Sequence, residues 1–186
     1  ILCVLGDLIK SGKIRHVGLS NENPWGIMRF LEEAKNDLPK MITVQNSYSL
    51  LNRQYEVGNA EISMRENVGL LAYSPLACGV LSGKYINGTD QPNSRLNLFK
   101  RFVRYSSDQS TEATRRYLNL AQQFDISLTK MALAFVNQQP FVTSNIIGAT
   151  TLSQLGENIE SINVELSSTL LAEIEKIHQE IPDPST

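Results

Sequence analysis

Four stretches of this chain end in side chains able to hold a polar ligand. Ser20-Asn21, Gln45-Asn46 and Tyr73-Ser74 each close a short β-rich run, and Gly148-Ala149-Thr150-Thr151 closes a fourth. Hydroxyl and carboxamide groups supply the donors and acceptors that suit a bound carboxamide, and a tyrosine face suits a stacked planar ring. Beyond Tyr73, the segment Leu76-Ala77-Cys78-Gly79-Val80-Leu81-Ser82-Gly83-Lys84 offers small residues, backbone N–H groups and one lysine, as a pyrophosphate would need. Arg95 follows in a Gly/Pro/Asn-rich loop running from about Ile86 to Ser110. Gly148–Thr151 leads into a helix start, where free N–H groups and the helix dipole favour an anion. Each feature also has an ordinary structural reading. Ser20-Asn21 is turn chemistry, Gln45 a strand-end amide, Tyr73 a core aromatic, and Thr151 with Gln154 a capping box. Their shared position at the C-terminal ends of strands is what groups them.

The elements that must position these residues alternate regularly. Ile14–Leu19, Met41–Gln45 and Val68–Tyr73 read as strands beginning 27 residues apart, and Ser144–Gly148 reads as a fourth. Between them the spacing predicts helices over Pro24–Lys35, with Asn23 as N-cap and Pro24 at N1, and over Glu56–Glu66. Further helices are expected over Thr111–Phe124, Leu128–Gln138 (capped by Ser127), Ser153–Ile162 and Ser168–Gln179. Strand–helix alternation implies parallel strands. A doubly wound sheet would want a Gly-rich turn after its first strand, and GxGxxG is absent from the chain. A (β/α) barrel instead opens all strand ends onto one face, where barrel active sites lie.

Composition narrows the classes. The chain has 186 residues, 41% of them hydrophobic, the size of one domain with a real core. Seventeen Lys and Arg against nineteen Asp and Glu give a net charge of −2, which argues for neither nucleic acid nor an anionic membrane as partner. No apolar run reaches the roughly 18 residues of a membrane span. Two cysteines, Cys3 and Cys78, make no disulfide framework, and a reducing, cytoplasmic setting is expected. Ile1, Leu2, Leu5, Leu8 and Ile9 fall at helical spacing up to Ser11-Gly12, so the opening reads as the middle of a helix and the chain as part of a longer polypeptide.

The blocks GKIRHVGLSN, VQNSYSLLNR, LAYSPLACGVLSGKY and IIGATTLSQLGENI resemble, in order and spacing, the C-terminal half of the NADPH-dependent aldo-keto reductases. Bacterial reductases and the voltage-gated potassium channel β subunits are the nearest subgroup. The resemblance implies an α/β fold, the C-terminal half of a (β/α)8 TIM barrel, with residues 1–186 a single partial domain of four βα units and a C-terminal helix. It implies that Ser20, Asn21 and Gln45 hold the nicotinamide carboxamide of NADPH and that Tyr73 stacks under the ring. Ser74, Leu76, Cys78, Gly79 and Lys84 would line the pyrophosphate path, and Arg95 would reach the phosphates. Gly148, Thr150, Gln154, Glu157 and Asn158 resemble the block that binds adenosine and its 2′-phosphate. The channel subunits carry a basic residue where this chain has Asn21, so the fit there is to the enzymes.

The family's catalytic Asp, Tyr, Lys and His belong to the half upstream of residue 1. His16 and His178 have no motif context for catalysis, so no catalytic residue and no metal ligand is assigned. The implied function is reduction of an aldehyde or ketone, a small carbonyl substrate, by hydride transfer. A non-catalytic NADP(H)-binding, redox-sensing subunit is the alternative from another class, and a phosphate-binding barrel with unrelated chemistry is a third. The expected protein partner is the missing N-terminal half-barrel or a second copy of the chain.

Overall fold

A computed structural model describes residues 1–86, 95–98 and 104–186. Its elements are α1 (Leu2–Lys10), β1 (Val17–Ser20), α2 (Pro24–Ala34), β2 (Met41–Ser47), α3 (Asn59–Glu66), β3 (Gly69–Tyr73), the short α4 (Arg95–Leu98), α5 (Asp108–Gln123), α6 (Leu128–Asn137), β4 (Val142–Asn145), α7 (Leu152–Glu160) and α8 (Ser168–Glu180). Single 3-10 turns cover Gln54–Glu56 and Ser161–Asn163, and Ala77–Ser82 forms two short turns joined across a kink at Cys78 and Gly79. No helix among the described residues is long and apolar enough to cross a membrane.

The four strands form one parallel sheet in the order β1-β2-β3-β4. The order follows the sequence without the reversal that defines a doubly wound sheet. Consecutive βα units add strands in this way around a barrel. On the helix side, Val44, Leu70 and Ala72 share one buried core with Met131, Ala134 and Phe135 of α6 and with Tyr48 and Phe141. On the opposite face, a Cβ at Gly18 or Gly69 would collide with Thr43 or Thr143 on the neighbouring strand, so glycine is what lets these threonines sit there.

Local chemistry explains most boundaries. Asn23 accepts from the Gly26 N–H at 2.8 Å with Pro24 at N1, and Ser107, Ser127, Thr151 and Ser167 cap their helices in the same way. Capping by Ser107 starts α5 at Asp108, three residues before the expected Thr111. The first strand begins at Val17 rather than Ile14, because the N–H groups of Lys13 and Ile14 fold back onto the Leu8 carbonyl at the end of α1. The second runs on to Ser47, whose partner is Tyr73. Helix α3 starts at Asn59, not Glu56, because Gly58 takes φ +109° and breaks the run. The third strand starts at Gly69 rather than Val68, whose N–H still closes α3 on Ser63.

The fourth strand is Val142–Asn145, two residues upstream of the expected Ser144–Gly148. Pairing with β3 sets it: Val142 faces Leu70 and Asn145 faces Ala72. The Ile146 N–H still reaches the Ala72 carbonyl at 2.8 Å, and β3 then ends at Tyr73 before the left-handed Ser74 (φ +55°). Gly148 therefore lies in a loop. The last predicted helices hold with small shifts, α7 ending in the Ser161–Asn163 turn.

One charged residue ties the far ends of the chain together. Arg53 pairs with Glu56 at 2.7 Å and with Glu175 of α8 at 2.8 Å, and its guanidinium lies 5.3 Å from the centre of the Phe135 ring. The Arg53 N–H donates to Asp183 of the tail, while Tyr48 donates its hydroxyl to Glu56 at 2.5 Å.

Candidate functional site

At the C-terminal ends of β1, β2 and β3 the structure brings four polar side chains together. Ser20 and Gln45 are register partners, and the Asn21 N–H extends the ladder to the Gln45 carbonyl at 2.9 Å. Asn21 then takes φ +54°, a left-handed turn that asparagine tolerates better than most residues. Its Nδ2–H donates to Ser20 Oγ at 3.3 Å, and its Oδ1 accepts from the Tyr73 hydroxyl at 2.8 Å. Ser20, Asn21 and Gln45 are exposed and Tyr73 is half-buried. Two carboxamides, a hydroxyl and an aromatic ring therefore share one rim.

Beyond Tyr73 the chain turns sharply. Ser74 is left-handed, and Ala77, Cys78 and Gly79 are left-handed in succession (φ +47°, +56° and +92°). Such backbone costs of order 1–3 kcal/mol at each non-glycine residue and gathers at ligand-binding segments. The N–H groups of Ala77, Gly79 and Leu81 donate to Ser74, Leu76 and Leu76, so these three bond within the segment. Leu76 and Cys78 pack against the core. Lys84 folds back over Gly79, where a Cβ would lie 3.0 Å from its Nζ, and that Nζ sits 5.1 Å from the Tyr85 ring centre. Lysine is thus the charged feature of this loop.

The second cluster lies after β4. Gln154 Oε1 accepts from both the N–H and the hydroxyl of Thr150, at 2.9 and 3.0 Å. Thr151 caps α7 by accepting from the Gln154 N–H at 3.2 Å. The capping box is displaced by one residue, since Gln154 serves Thr150 rather than the cap itself. With its oxygen engaged, the Gln154 carboxamide presents its NH2 group outward, a donor beside the N-terminus of α7. Gly148 has open space where a Cβ would stand. Of Glu157 and Asn158, placed by sequence in the same block, Asn158 is turned inward and Glu157 is held at the surface. Glu157 accepts from the Ser127 hydroxyl at 2.6 Å, and buried Asn158 donates to the Gly148 carbonyl at 3.3 Å.

The side chain of Arg95 lies outside the described residues, as do Lys100 and Arg101. Arg104, another basic residue of the same loop, lies beside the Tyr73 hydroxyl. Arg104 donates to the Tyr105 hydroxyl at 2.7 Å and lies 4.7 Å from its ring centre. Burial opposes its charge, but the Tyr105 and Tyr73 hydroxyls outweigh that and hold its pKa above the ordinary arginine value. His16 is exposed before β1, and His178 belongs to α8. Among the described residues, no group of His, Cys, Asp and Glu could hold a metal ion.

Comparison with known proteins gives the family. The Aldo/keto reductase family profile matches residues 1–179. Protein tas of Escherichia coli (strain K12) is 51% identical over 179 residues, covering 96% of this chain and 52% of that protein. An aldo-keto reductase of Babesia bovis is 40% identical over 192 residues, covering 98% of this chain and 67% of the relative. The L-glyceraldehyde 3-phosphate reductase of Escherichia coli (strain K12) is 35% identical over 185 residues, with 96% and 53% covered. The chain thus spans about half the length of the first and third of these relatives. A parallel sheet with its polar residues on the strand ends, matched along 179 of 186 residues, places the chain in the aldo/keto reductase family of oxidoreductases.

Proposed function

We propose that this chain is the NADPH-binding half of a (β/α)8 reductase of aldehydes or ketones, completed by a preceding half-barrel that carries the acid–base residues. The juxtaposition of Ser20, Asn21, Gln45 and Tyr73 on one rim carries this reading, with Tyr73 held to Asn21 at 2.8 Å. Their donor set fits a nicotinamide: carboxamide groups match carboxamide, and the Tyr73 ring offers a face whose tilt the Asn21 bond fixes. Lys84 and the outward NH2 of Gln154 supply the donors that phosphate oxygens require. When bound, the nicotinamide supplies the hydride. The residues of this chain orient that ring, hold its phosphates and so fix the approach to a carbonyl carbon. The relative named L-glyceraldehyde 3-phosphate reductase supports an aldehyde as the substrate class.

Calorimetric titration of the full-length protein with NADPH tests the reading. Binding is expected, weakened about tenfold or more by Gln45→Ala combined with Ser20→Ala, as the loss of two hydrogen bonds implies. Equal binding by the parent and the double variant would place the nicotinamide elsewhere.

A further inference from the structure

A directed chain of hydrogen bonds runs behind the Gly148–Thr150 loop. Asn145, the last residue of β4, donates its Nδ2–H to Oδ1 of Asn137 at 3.0 Å. Asn137, the last residue of α6, donates its own Nδ2–H to Ser161 Oγ at 3.4 Å. Ser161 donates to the Asn158 carbonyl at 2.6 Å, and Asn158 Nδ2 donates to the Gly148 carbonyl at 3.3 Å. The two ends of this relay are three residues apart in sequence, so it brackets the segment from Asn145 to Gly148. Ser161 and Asn158 are only 2% and 5% exposed, so water competes little for these bonds. The direction is fixed as well. Ser161 has one hydroxyl proton, spent on Asn158, so its oxygen accepts from Asn137. Asn137 must accept on one side and donate on the other, which a carboxamide does and a carboxylate at neutral pH does not.

We propose that Asn137 is a positioning residue for the anion-binding loop. By joining the end of β4 to Ser161, and through it to Asn158, it sets where the Gly148 carbonyl stands. The Thr150–Gln154 pair follows two residues later, so Asn137 governs affinity for the adenosine end of the nucleotide without touching it. This rests on the nucleotide reading given above.

Titration of the full-length protein with 2′,5′-ADP, which carries only the adenosine end, and with reduced nicotinamide mononucleotide tests it. Asn137→Ala and Asn137→Asp should each weaken 2′,5′-ADP about threefold to tenfold, as expected for one buried hydrogen bond lost, and leave the mononucleotide unchanged. Asn137→Asp keeps an acceptor for Asn145 but replaces the donation to Ser161 with a negative charge, so the uncharged Ser161→Ala is the variant that isolates that link. Should either variant fail to fold, Ser161→Ala cuts the relay one step further along and should show the same selective loss. Parent-like affinity for 2′,5′-ADP in the folded variants, or equal weakening of both ligands, would overturn the relay. A parent that does not bind 2′,5′-ADP at all would overturn the nucleotide reading itself, and the relay's role with it.

Discussion

Tyr73 and Asn21 stand 52 residues apart in sequence, and the hydroxyl of the first donates to Oδ1 of the second at 2.8 Å. The bond spans the sheet from the end of β3 to the end of β1, over the C-terminal end of β2. It fixes both partners: Asn21 is held in a left-handed turn, and the Tyr73 ring cannot rotate away from the rim. A ring anchored through its hydroxyl presents its face, the surface on which the proposed nicotinamide would stack.

Tyr73→Phe should keep the ring and lose the anchor. One hydrogen bond is worth about 0.5–1.5 kcal/mol, so nucleotide affinity in the full-length protein should fall about threefold to tenfold. Tyr73→Ala should cost more, since the stacking face disappears with the bond. Fluorescence titration of the two variants against the parent measures both. An unchanged affinity in Tyr73→Ala would remove Tyr73 from the site.

The Gln154 carboxamide is oriented by two donors from Thr150, which engage its oxygen and leave its NH2 as the remaining donor. Gln154→Glu would still accept both bonds but would place a negative charge there. NADPH affinity should fall about tenfold or more while NADH affinity stays within about twofold, because only NADPH carries the 2′-phosphate. Parallel titrations with both nucleotides read the ratio. A loss shared equally by the two would mean that the 2′-phosphate does not sit at Gln154.

Local chemistry made much of this fold legible in the sequence. Asn23-Pro24, Ser127 and Thr151 announce helix starts because a cap is a contact within three residues. Partners distant in sequence shift the boundaries. Ile146-Ile147-Gly148 looks like strand, yet β3 bends away after Tyr73 and leaves it as loop. Glu56 looks helical, yet it turns to Arg53 and Tyr48. At the site, the rim residues were readable from residue type at strand ends. The bonds of Glu157 to Ser127 and of Asn158 to Gly148 were not, since each depends on how α7 lies against α6 and the loop. Arg104 was one of four basic residues of the long loop, with Arg95, Lys100 and Arg101, and residue type alone does not say which of them reaches Tyr73.

Arg53 should be costly to remove. Its side chain is 10% exposed and serves Glu56 and Glu175 together. Breaking a buried pair costs about 3–5 kcal/mol, and the greater exposure of Glu175 brings the expectation for Arg53→Met to about 2–3 kcal/mol at pH 7. The hydrogen bond from Arg53 holds the Glu175 pKa below the ordinary glutamate value. A carboxylate lowered on folding contributes stability above its unfolded pKa and loses it as pH falls through the folded one. The gap between parent and Arg53→Met should therefore be widest near neutrality and narrow below about pH 4.5. Urea unfolding at pH 7 and pH 4 checks it; a gap that widens on acidification would contradict the assigned pairing.

Residues 1–186 expressed alone should self-associate. Along α7 and the turn after it, Leu152, Leu155, Ile159 and Ile162 are 87%, 39%, 57% and 68% exposed, a stripe at helical spacing. Strands β1 and β4 are also the edges of the sheet, with backbone groups open to pairing. Sedimentation velocity should show dimers or larger species that disappear when a preceding half-barrel is supplied. A monomer that unfolds cooperatively at every concentration would show that this half is self-sufficient.

Carbonyl reduction needs a proton at the developing alkoxide as well as a hydride, and a positioned acid is typically worth about 10² to 10⁴ in rate. Tyrosine is the acid that the family resemblance implies, so each of the six tyrosines here bears on whether this half can act alone. Tyr48, Tyr55, Tyr105 and Tyr117 are buried in the core. Burial, reinforced by Glu56 at Tyr48, pushes the pKa of Tyr48 and of Tyr117 far above the ordinary phenol value, and burial raises Tyr55 as well. Tyr85 accepts from the Leu96 N–H at 3.5 Å, beneath the α4 turn. Tyr73 alone reaches the rim, and its proton is directed at Asn21. The expectation is that residues 1–186 alone give no NADPH-dependent reduction of an aromatic aldehyde, while the same residues joined to a preceding half-barrel bearing Asp, Tyr, Lys and His do. Loss of NADPH absorbance follows the reaction in both. Turnover by the isolated chain, abolished by Tyr73→Phe, would make Tyr73 the acid and move the chemistry into this half.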